Sequence, residues 1–263
     1  MKIVYILGSL RTGQTFRALE MFIDRMKSLE NVESEIIQLK DLKLKSCIGC
    51  ATCIKDGEEH CPLKDDRDII IDKMKKSDGV IFATPNYSLH VTWIMKNFYD
   101  RLAFFFHRPA FFGKIAIGLV TQGVYGGEQI GRYIETVSGF WGFNVCKSIV
   151  LTTPWGAFNP KEKWLGEEKI AKALDNAGKQ FIKKIKGKPN PSPSLKRYII
   201  FHGVRTSIQY LKDKFRDYEY FKEKGWFESD YYYKTRIGLV KKIAGKIIDN
   251  IVRKDIHKMN TEK

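Results

Sequence analysis

The first fifteen residues constrain the fold more than any other stretch of this sequence. Ile3 to Leu7 form a short apolar run, which is typical of a strand that is buried on both faces. The run leads directly into Gly8-Ser-Leu-Arg-Thr-Gly-Gln-Thr15, and a helical pattern begins there. The N–H groups of such a loop, its hydroxyl side chains and the positive end of the helix dipole all favour a bound anion.

This loop predicts a site for a single phosphate rather than for a nucleotide polyphosphate. It lacks the GK[ST] ending of a Walker loop and does not match the GxGxxG dinucleotide pattern. Ser9, Thr12 and Thr15 supply the candidate hydroxyl donors. The alternative interpretation is an ordinary turn between a strand and a helix, capped by a threonine.

Apolar runs and amphipathic helical patterns alternate over residues 1–186, which predicts an α/β fold with a doubly wound parallel sheet. Ligands of such sheets bind at the carboxyl ends of the strands, so we expect the loops Gly8–Thr15, Thr84–Ser88 and Thr121–Gly127 to meet at one ligand. The later strands are predicted at Glu33–Leu39, Gly79–Thr84, Lys114–Thr121 and Asn144–Thr152, and the helices at Thr15–Leu29, Arg67–Lys76, Val91–Phe106, Glu128–Phe140 and Lys161–Lys186.

Four of the five cysteines lie within fifteen residues, in the pattern C-x2-C-x2-C-x7-C from Cys47 to Cys61, with Pro62 after the last. Thiolates at such short spacing can face one metal centre, and four of them suit an iron–sulfur cluster or zinc. Free thiols or a disulfide are the alternative. Cys146 falls in a predicted strand and is expected in the core, and His60 and His90 are interpreted as surface or packing residues.

Three stretches resemble the NADPH-dependent FMN reductase family. They are GSLRTGQT after the first strand, ATPNYS over Ala83–Ser88, and K-x-F-x-D-R over Lys96–Arg101. The cysteine pattern is similar to that of the iron–sulfur flavoprotein branch. The resemblance covers about residues 1–186 and implies a flavodoxin-like, five-stranded parallel sheet of order 2-1-3-4-5. In the common family loop GSPR-x-x-GNT, proline and asparagine stand where this chain has Leu10 and Gln14, and this chain has one residue fewer between Arg11 and Gly13.

The resemblance also implies the cofactors and their residues. The phosphate of FMN would be held by Ser9, Arg11, Gly13, Gln14 and Thr15. The isoalloxazine ring would be lined by Pro85, Asn86, Tyr87 and Ser88 on one side and by Thr121, Gln122 and Gly123 on the other. A [4Fe–4S] cluster would be held by Cys47, Cys50, Cys53 and Cys61. No catalytic side chain is nominated, because the flavin itself carries the electrons.

The implied function is that of an FMN-dependent oxidoreductase. It would be either an NAD(P)H-dependent FMN or quinone reductase or an iron–sulfur flavoprotein electron carrier with a ferredoxin or quinone-type partner. A homo-oligomer, a dimer or a tetramer, is also expected, because neighbouring subunits often complete the sites of this family. The rival hypothesis is a non-enzymatic flavin-based redox sensor that acts through a basic tail.

The tail begins after the proline-rich segment Lys186–Ser194, which predicts a boundary between a domain of residues 1–186 and a helical extension of residues 187–263. The extension carries 18 lysines and arginines against nine acidic residues, within a chain of net charge +16. Trp226–Tyr233 is too aromatic for a disordered tail. Two helical apolar stripes are predicted there, one of Val204, Ile208, Leu211 and Phe215, and one of Ile237, Val240, Ala244, Ile247 and Ile251.

Three uses compete for these stripes. Amphipathic helices must bury their apolar faces, so packing on the rest of the chain or on a second subunit is expected first. Contact with an anionic membrane surface is the second, since basic amphipathic helices bind such surfaces. Nucleic acid comes last and is not expected, because no recognition motif accompanies the charge. The sequence has neither a run of about 18 apolar residues nor a signal-peptide pattern, which favours a cytoplasmic protein.

Overall fold

The structure is a computed structural model that describes residues 1–153, 166–211 and 215–261. The strands are β1 (Lys2–Leu7), β2 (Glu33–Gln38), β3 (Gly79–Pro85), β4 (Ile115–Gln122), β5 (Asn144–Val145) and β6 (Ile149–Thr152). The α-helices are α1 (Gln14–Leu29), α2 (Thr52–Lys55), α3 (Arg67–Lys76), α4 (Trp93–Arg101), α5 (Gly127–Phe140), α6 (Glu167–Lys186), α7 (Leu195–Leu211), α8 (Arg216–Glu223) and α9 (Leu239–Thr261). Short 3-10 helices span Leu39–Asp41, Glu58–His60 and Ala103–Phe106.

The strands form one parallel sheet of order β2-β1-β3-β4-β5, and β6 also pairs with β4. The predicted order 2-1-3-4-5 is therefore confirmed, with the fifth position occupied by two short strands instead of one. Between them, the Ser148 N–H donates to the Glu135 carboxylate of α5 at 2.6 Å, and the Ser148 hydroxyl donates to the Gly131 carbonyl. These bonds to α5 replace sheet bonds where the predicted strand is interrupted.

The central strands are buried on both faces, because helices cover the sheet on each side. Every residue of β3 and β4 is buried. On one face, Tyr5 and Ile81 pack in a core with Phe22 of α1 and with Leu174 and Phe181 of α6. On the other face, the Phe82 ring of β3 contacts aromatic rings of α4 and of the chain after α5. These are Phe98 and Tyr99 of α4, and Trp141 and Phe143 after α5.

Two predicted helices differ from the structure. The helix predicted over Val91–Phe106 is the shorter α4, which ends at Arg101 and is followed by the 3-10 turn Ala103–Phe106. Trp93, the first residue of α4, is 61% exposed, although its apolar side chain within the predicted helix would favour burial. The last predicted helix, Lys161–Lys186, is described from Glu167 onward, and its residues 161–165 lie outside the described ranges.

The chain divides into two compact units. One consists of residues 1–48 and 63–189, and the other of residues 49–62 and 190–263. The second unit contains α2, α7, α8 and α9. Its aromatic segment is packed: the Tyr232 ring lies 4.7 Å from Trp226 and 4.6 Å from Phe201 of α7, and the Trp226 indole donates to the Tyr232 carbonyl. The short helix α2 contacts α8 within this unit, so the residues around Cys53 group with the C-terminal helices.

Helix α9 packs on α7 through a face that its apolar pattern does not predict. A Cβ at Gly245 would come within 2.6 Å of the His202 imidazole and 2.8 Å of the Tyr198 ring, so only glycine allows this approach. The face predicted to be buried is largely exposed instead: Val240 is 74% and Ile247 53% exposed. In the first predicted stripe, Ile208 is buried as expected, whereas Phe215 precedes α8 in extended backbone.

A buried polar cluster explains why α9 turns this face to α7. The Asp249 carboxylate accepts from the Thr206 hydroxyl at 2.5 Å and from Arg205 at 2.8 Å. His202 Nδ1 lies 2.9 Å from this carboxylate and 3.0 Å from the Arg205 guanidinium, so both charged partners contact the same ring nitrogen. Burial lowers the pKa of His202 and outweighs the opposing hydrogen bond to Asp249. The pKa of Asp249 also lies below its usual value, because the bonds from Thr206 and His202 outweigh the effect of burial.

This cluster makes the packing of α7 and α9 sensitive to acid. A histidine whose folded-state pKa lies below about 6.5 takes up its proton more readily when unfolded, so acidification below that pH disfavours the folded state. Asp249 stays ionised in this range. We expect the hydrogen-exchange protection factors of α7 and α9 to fall between about pH 7.5 and 5.5, and to fall less in His202→Gln. His257→Gln, at an exposed position of α9, should behave as wild type. An unchanged pH dependence in His202→Gln would contradict this account.

Candidate functional site

The loop after β1 is folded back on itself at the carboxyl edge of the sheet. The Gly8 N–H donates to the Ala83 carbonyl of β3 at 2.8 Å. Ser9 is buried, and its hydroxyl donates to the Arg11 carbonyl at 2.8 Å while accepting from the Arg11 N–H at 3.4 Å. These bonds give Ser9 to Arg11 the compact shape that a phosphate-binding loop requires.

Helix α1 begins immediately after this loop without a side-chain cap. Gly13 is the N-cap residue and provides no side-chain cap, and the first turn contains no acidic residue. A Cβ placed at Gly13 would meet no atom within 4 Å, so the space beside it is open. An uncapped helix N-terminus that faces open space beside hydroxyl groups suits an anionic group.

The three loops predicted to share a ligand are brought together by direct bonds. The hydroxyls of Thr15 and Thr121 lie 2.7 Å apart. The Asn86 N–H donates to the Thr121 carbonyl at 2.7 Å, and Arg11 donates to the Tyr87 hydroxyl at 3.1 Å. Each loop is therefore bonded to at least one of the others at the carboxyl edge of β1, β3 and β4.

The loop after β3 makes a tight turn with an uncommon backbone. Tyr87 and His90 exchange two backbone hydrogen bonds of 3.0 Å, and both central residues have positive φ, +50° at Ser88 and +63° at Leu89. Residues with a side chain adopt this region at a cost, and such residues concentrate at functional sites. The Gln129 side chain holds the turn by donating to the Leu89 carbonyl at 3.0 Å.

The loop after β4 begins with a buried side chain that makes internal hydrogen bonds and continues with exposed residues. The Gln122 side chain accepts from the Gly127 N–H at 2.6 Å and donates to Thr152 at 3.3 Å, so it caps α5. Gly123 is exposed. Beyond it, an apolar rim of exposed side chains surrounds the meeting point of the loops, consisting of Tyr87, Leu89, Val124 and Tyr125.

The two histidines considered in the sequence lie in ordinary packing or surface positions. The exposed His90 ring lies 4.8 Å from the Tyr133 ring at a tilt of 58°, and burial raises the pKa of Tyr133 to about 12. His60 is exposed beside Glu59. Cys146 is buried, and burial raises the pKa of its thiol, as expected for a core cysteine.

Helix α4 contains two polar residues whose role sequence reasoning missed. The Asn97 side chain accepts from the Cys47 N–H at 3.0 Å, and the Arg101 guanidinium forms a bidentate pair with Asp65 at 2.6 and 3.1 Å. Both positions lie on the same helix face as the buried Ile94 and Phe98. Their position within an apolar helix face could have indicated this role, because a buried polar side chain needs a hydrogen-bond partner.

The four clustered cysteines differ in environment. Cys47 and Cys50 are exposed, Cys53 is half-buried and Cys61 is buried. Gly49 and Ala51 have positive φ, so the backbone turns sharply between the first three cysteines. Across the described residues, no group of three or more His, Cys, Asp or Glu side chains is arranged to hold a metal ion. Cys47 belongs to the unit that contains the sheet, and Cys50, Cys53 and Cys61 belong to the unit of the C-terminal helices.

The sheet order and the polar loops at its carboxyl edge define the class of flavodoxin-like flavin-binding proteins. Residues 1–154 match the NADPH-dependent FMN reductase family. The chain is 33% identical over 230 residues to an iron–sulfur flavoprotein of Archaeoglobus fulgidus, covering 86% of this chain and 100% of that protein. It is 30% identical over 225 residues to an iron–sulfur flavoprotein of Clostridioides difficile, covering 84% of this chain and 95% of that protein.

The chain therefore belongs to the NADPH-dependent FMN reductase family, in the branch of the iron–sulfur flavoproteins, and is an FMN-dependent oxidoreductase. Solved structures agree in fold. RosB with a bound 8-demethyl-8-formylriboflavin-5'-phosphate matches with a TM-score of 0.55 at 14% identity, covering 91% of this chain and 92% of that one. An apo NADH:FMN oxidoreductase matches with a TM-score of 0.51 at 22% identity, covering 72% and 91%. Among the described helices, none is long and apolar enough to cross a membrane.

Proposed function

We propose that the three loops hold one FMN and that a nicotinamide cofactor reduces it. The observation that carries the proposal is the direct bonding of these loops, through Thr15 to Thr121 and Arg11 to Tyr87, around the uncapped start of α1. A phosphate there would receive N–H groups of the loop and of the first helical turn, together with the positive helix dipole.

The site residues named from the sequence divide into three roles in this proposal. Ser9, Gly13, Gln14 and Thr15 shape the phosphate loop and the start of α1, and Arg11 adds a positive charge. Pro85, Asn86, Tyr87 and Ser88 line one side of the ring, and Thr121, Gln122 and Gly123 the other, with Gln122 acting through its bond to Gly127. Bound FMN supplies the electron-transfer chemistry, and the protein binds and orients it.

The exposed rim of Tyr87, Leu89, Val124 and Tyr125 is where we place the electron donor or acceptor. Planar aromatic molecules stack favourably on such side chains. A nicotinamide ring or a quinone has this shape, which supports an NAD(P)H-dependent FMN or quinone reductase. A ferredoxin-type protein is the alternative donor, and the family assignment favours either of them over a purely regulatory protein that acts through its basic tail.

We further propose that Cys47, Cys50, Cys53 and Cys61 bind a [4Fe–4S] cluster once iron and sulfide are supplied. The support is the chemistry of four closely spaced thiolates and the name shared by the relatives. The described residues bring no three of these thiols together as metal ligands, so the chemistry of the four thiolates, rather than their arrangement, supports this assignment. Zinc, or thiols without metal, are the alternatives that the iron measurement below distinguishes.

We propose that the protein is a cytoplasmic homo-oligomer. The exposed apolar stripe on α9, which includes Val240, Ile243, Ile247 and Ile251, supports a second copy as its partner. Lys246 and Arg253 of the same helix make an anionic membrane surface the second possibility. Reduced cysteines suit the cytoplasm, where thiols are kept from forming disulfides.

The first expected outcome concerns the electron donor. Anaerobic mixing of the FMN-loaded chain with NADPH or NADH in a stopped-flow instrument should bleach the absorption of oxidised flavin within one turnover. Bleaching by reduced ferredoxin alone would reject the nicotinamide donor while leaving the FMN site intact. A chain that binds no FMN at all would reject the proposed site itself.

The second expected outcome concerns the contribution of Arg11 to FMN binding. Arg11→Ala should raise the Kd for FMN about tenfold or more, because it removes a charge-assisted contact worth about 1.5–3 kcal/mol. Arg25→Ala, an exposed arginine on α1, removes the same net charge away from the loop and should leave the Kd unchanged. Quenching of FMN fluorescence at fixed ionic strength measures both. Equal Kd values for Arg11→Ala and wild type would place the phosphate elsewhere.

The third expected outcome concerns iron binding by the four clustered cysteines. Anaerobically purified wild-type protein should contain about four iron and four sulfide per chain, as a [4Fe–4S] cluster requires. Cys61→Ser should lose most of this iron, whereas Cys146→Ala, which changes a cysteine outside the cluster pattern, should retain it. Iron below one atom per chain in the wild type would refute the cluster, and zinc in its place would identify the alternative metal.

A further inference from the structure

Helix α4 binds the chain on both sides of the cysteine-containing stretch. Before this stretch, Asn97 accepts from the Cys47 N–H at 3.0 Å and donates to the Lys45 carbonyl at 3.3 Å. After it, Arg101 donates to the Leu63 carbonyl at 3.3 Å. Both residues belong to the unit that contains residues 1–48 and 63–189, so these contacts lie within one compact body.

Arg101 also joins the two sides to each other. Its guanidinium donates to the Lys45 carbonyl at 2.9 Å and to both oxygens of Asp65 at 2.6 and 3.1 Å. The side chains of Arg101 and Asp65 are each 1% exposed. A buried pair with two parallel hydrogen bonds fixes direction as well as distance, which a single point charge does not.

The acidic residues that follow the cysteines complete the connection. Asp65 accepts from the Lys45 N–H at 2.9 Å, and Asp66 accepts from the Lys43 N–H at 2.8 Å. The Asp66 N–H in turn donates to the Lys43 carbonyl at 3.1 Å. Residues 43–47 and 63–67 are therefore bonded to each other as well as to α4, and we call these two short stretches the stems.

Helix α4 is itself fixed at its other end. Thr92 caps the helix by accepting from the Met95 N–H, and its hydroxyl donates to the Gly8 carbonyl at 2.6 Å. Phe98 and Tyr99 are buried among the aromatic rings beside β3. Asn97 and Arg101 consequently project from a helix whose rotation and position are already determined by the sheet.

We propose that Asn97 and Arg101 are positioning residues that hold Cys47 and both stems in place before any metal binds. The two ends of the cysteine-containing stretch are then already held together by the protein. Metal binding therefore does not have to offset the entropic cost of closing this loop. The role in metal binding rests on the proposed cluster, whereas the holding of the stems does not. Both residues act through the backbone of the stems, and neither is a metal ligand in this proposal.

The stems can be tested in metal-free protein by hydrogen–deuterium exchange. Arg101→Leu and the milder Asn97→Ala should each speed exchange in peptides that contain residues 43–47, and Arg101→Leu also in residues 63–67. Lys96→Ala is the matched control, because it removes only the exposed pair of Lys96 with Asp100 on the same helix. FMN affinity should be unchanged in Asn97→Ala, which shows that the sheet has folded. Exchange equal to wild type in both Asn97→Ala and Arg101→Leu would overturn the proposal.

Iron titration of the same proteins tests the consequence for metal binding. Residues that orient ligands from outside the first coordination sphere typically change metal affinity about 10- to 100-fold, so we expect a loss of that size in Asn97→Ala and Arg101→Leu but not in Lys96→Ala. Iron affinity in Arg101→Lys should lie between those of Arg101→Leu and the wild type, because lysine restores the positive charge without the two parallel hydrogen bonds to Asp65. Faster exchange with unchanged iron affinity would overturn the role in metal binding. A wild type that binds no iron but shows the expected exchange pattern would refute the cluster and support the holding of the stems.

Discussion

The close approach of α4 to Gly8 is the constraint on which the functional edge of this protein depends. A Cβ at Gly8 would lie 2.8 Å from the Met95 Cβ and 3.2 Å from the Thr92 hydroxyl, so only glycine permits this contact. The same glycine receives the Thr92 hydroxyl bond and donates to Ala83 of β3. One position thus joins the loop after β1, the neighbouring strand β3 and helix α4. Gly8 therefore serves close packing and backbone hydrogen bonding at the same position.

Much of the sheet-containing unit could be predicted because its signals are local. The run Ile3–Leu7 identifies a buried strand, and the loop after it predicts an anion site, without any knowledge of the rest of the chain. The convergence of the loops follows from parallel topology, and the bonds from Thr15 to Thr121 and from Arg11 to Tyr87 agree with it. The sheet order came from the family resemblance and not from periodicity, which is the same for every arrangement of buried strands.

The rest depended on partners that are distant in sequence. The apolar period of α9 predicts that Val240 and Ile247 are buried, whereas the packed face is set by Gly245 and by the bonds of Asp249 to α7. A hydrophobicity pattern gives little weight to a glycine or an aspartate, so it selects the wrong face. Asn97 and Arg101 were missed for a related reason, since their partners are backbone groups and an aspartate 36 to 56 residues away.

The stems described above have a consequence for changes in the chain between them. Residues 43–47 and 63–67 are bonded to each other and to α4, so the part between them begins and ends at a closed base. None of the paired strand residues lies in that part, so we expect a change of its composition to leave the strand pairing of the sheet unchanged. Residues 49–62 belong instead to the unit of the C-terminal helices, where α2 contacts α8, so the composition of this stretch is constrained by those helices and not by the sheet.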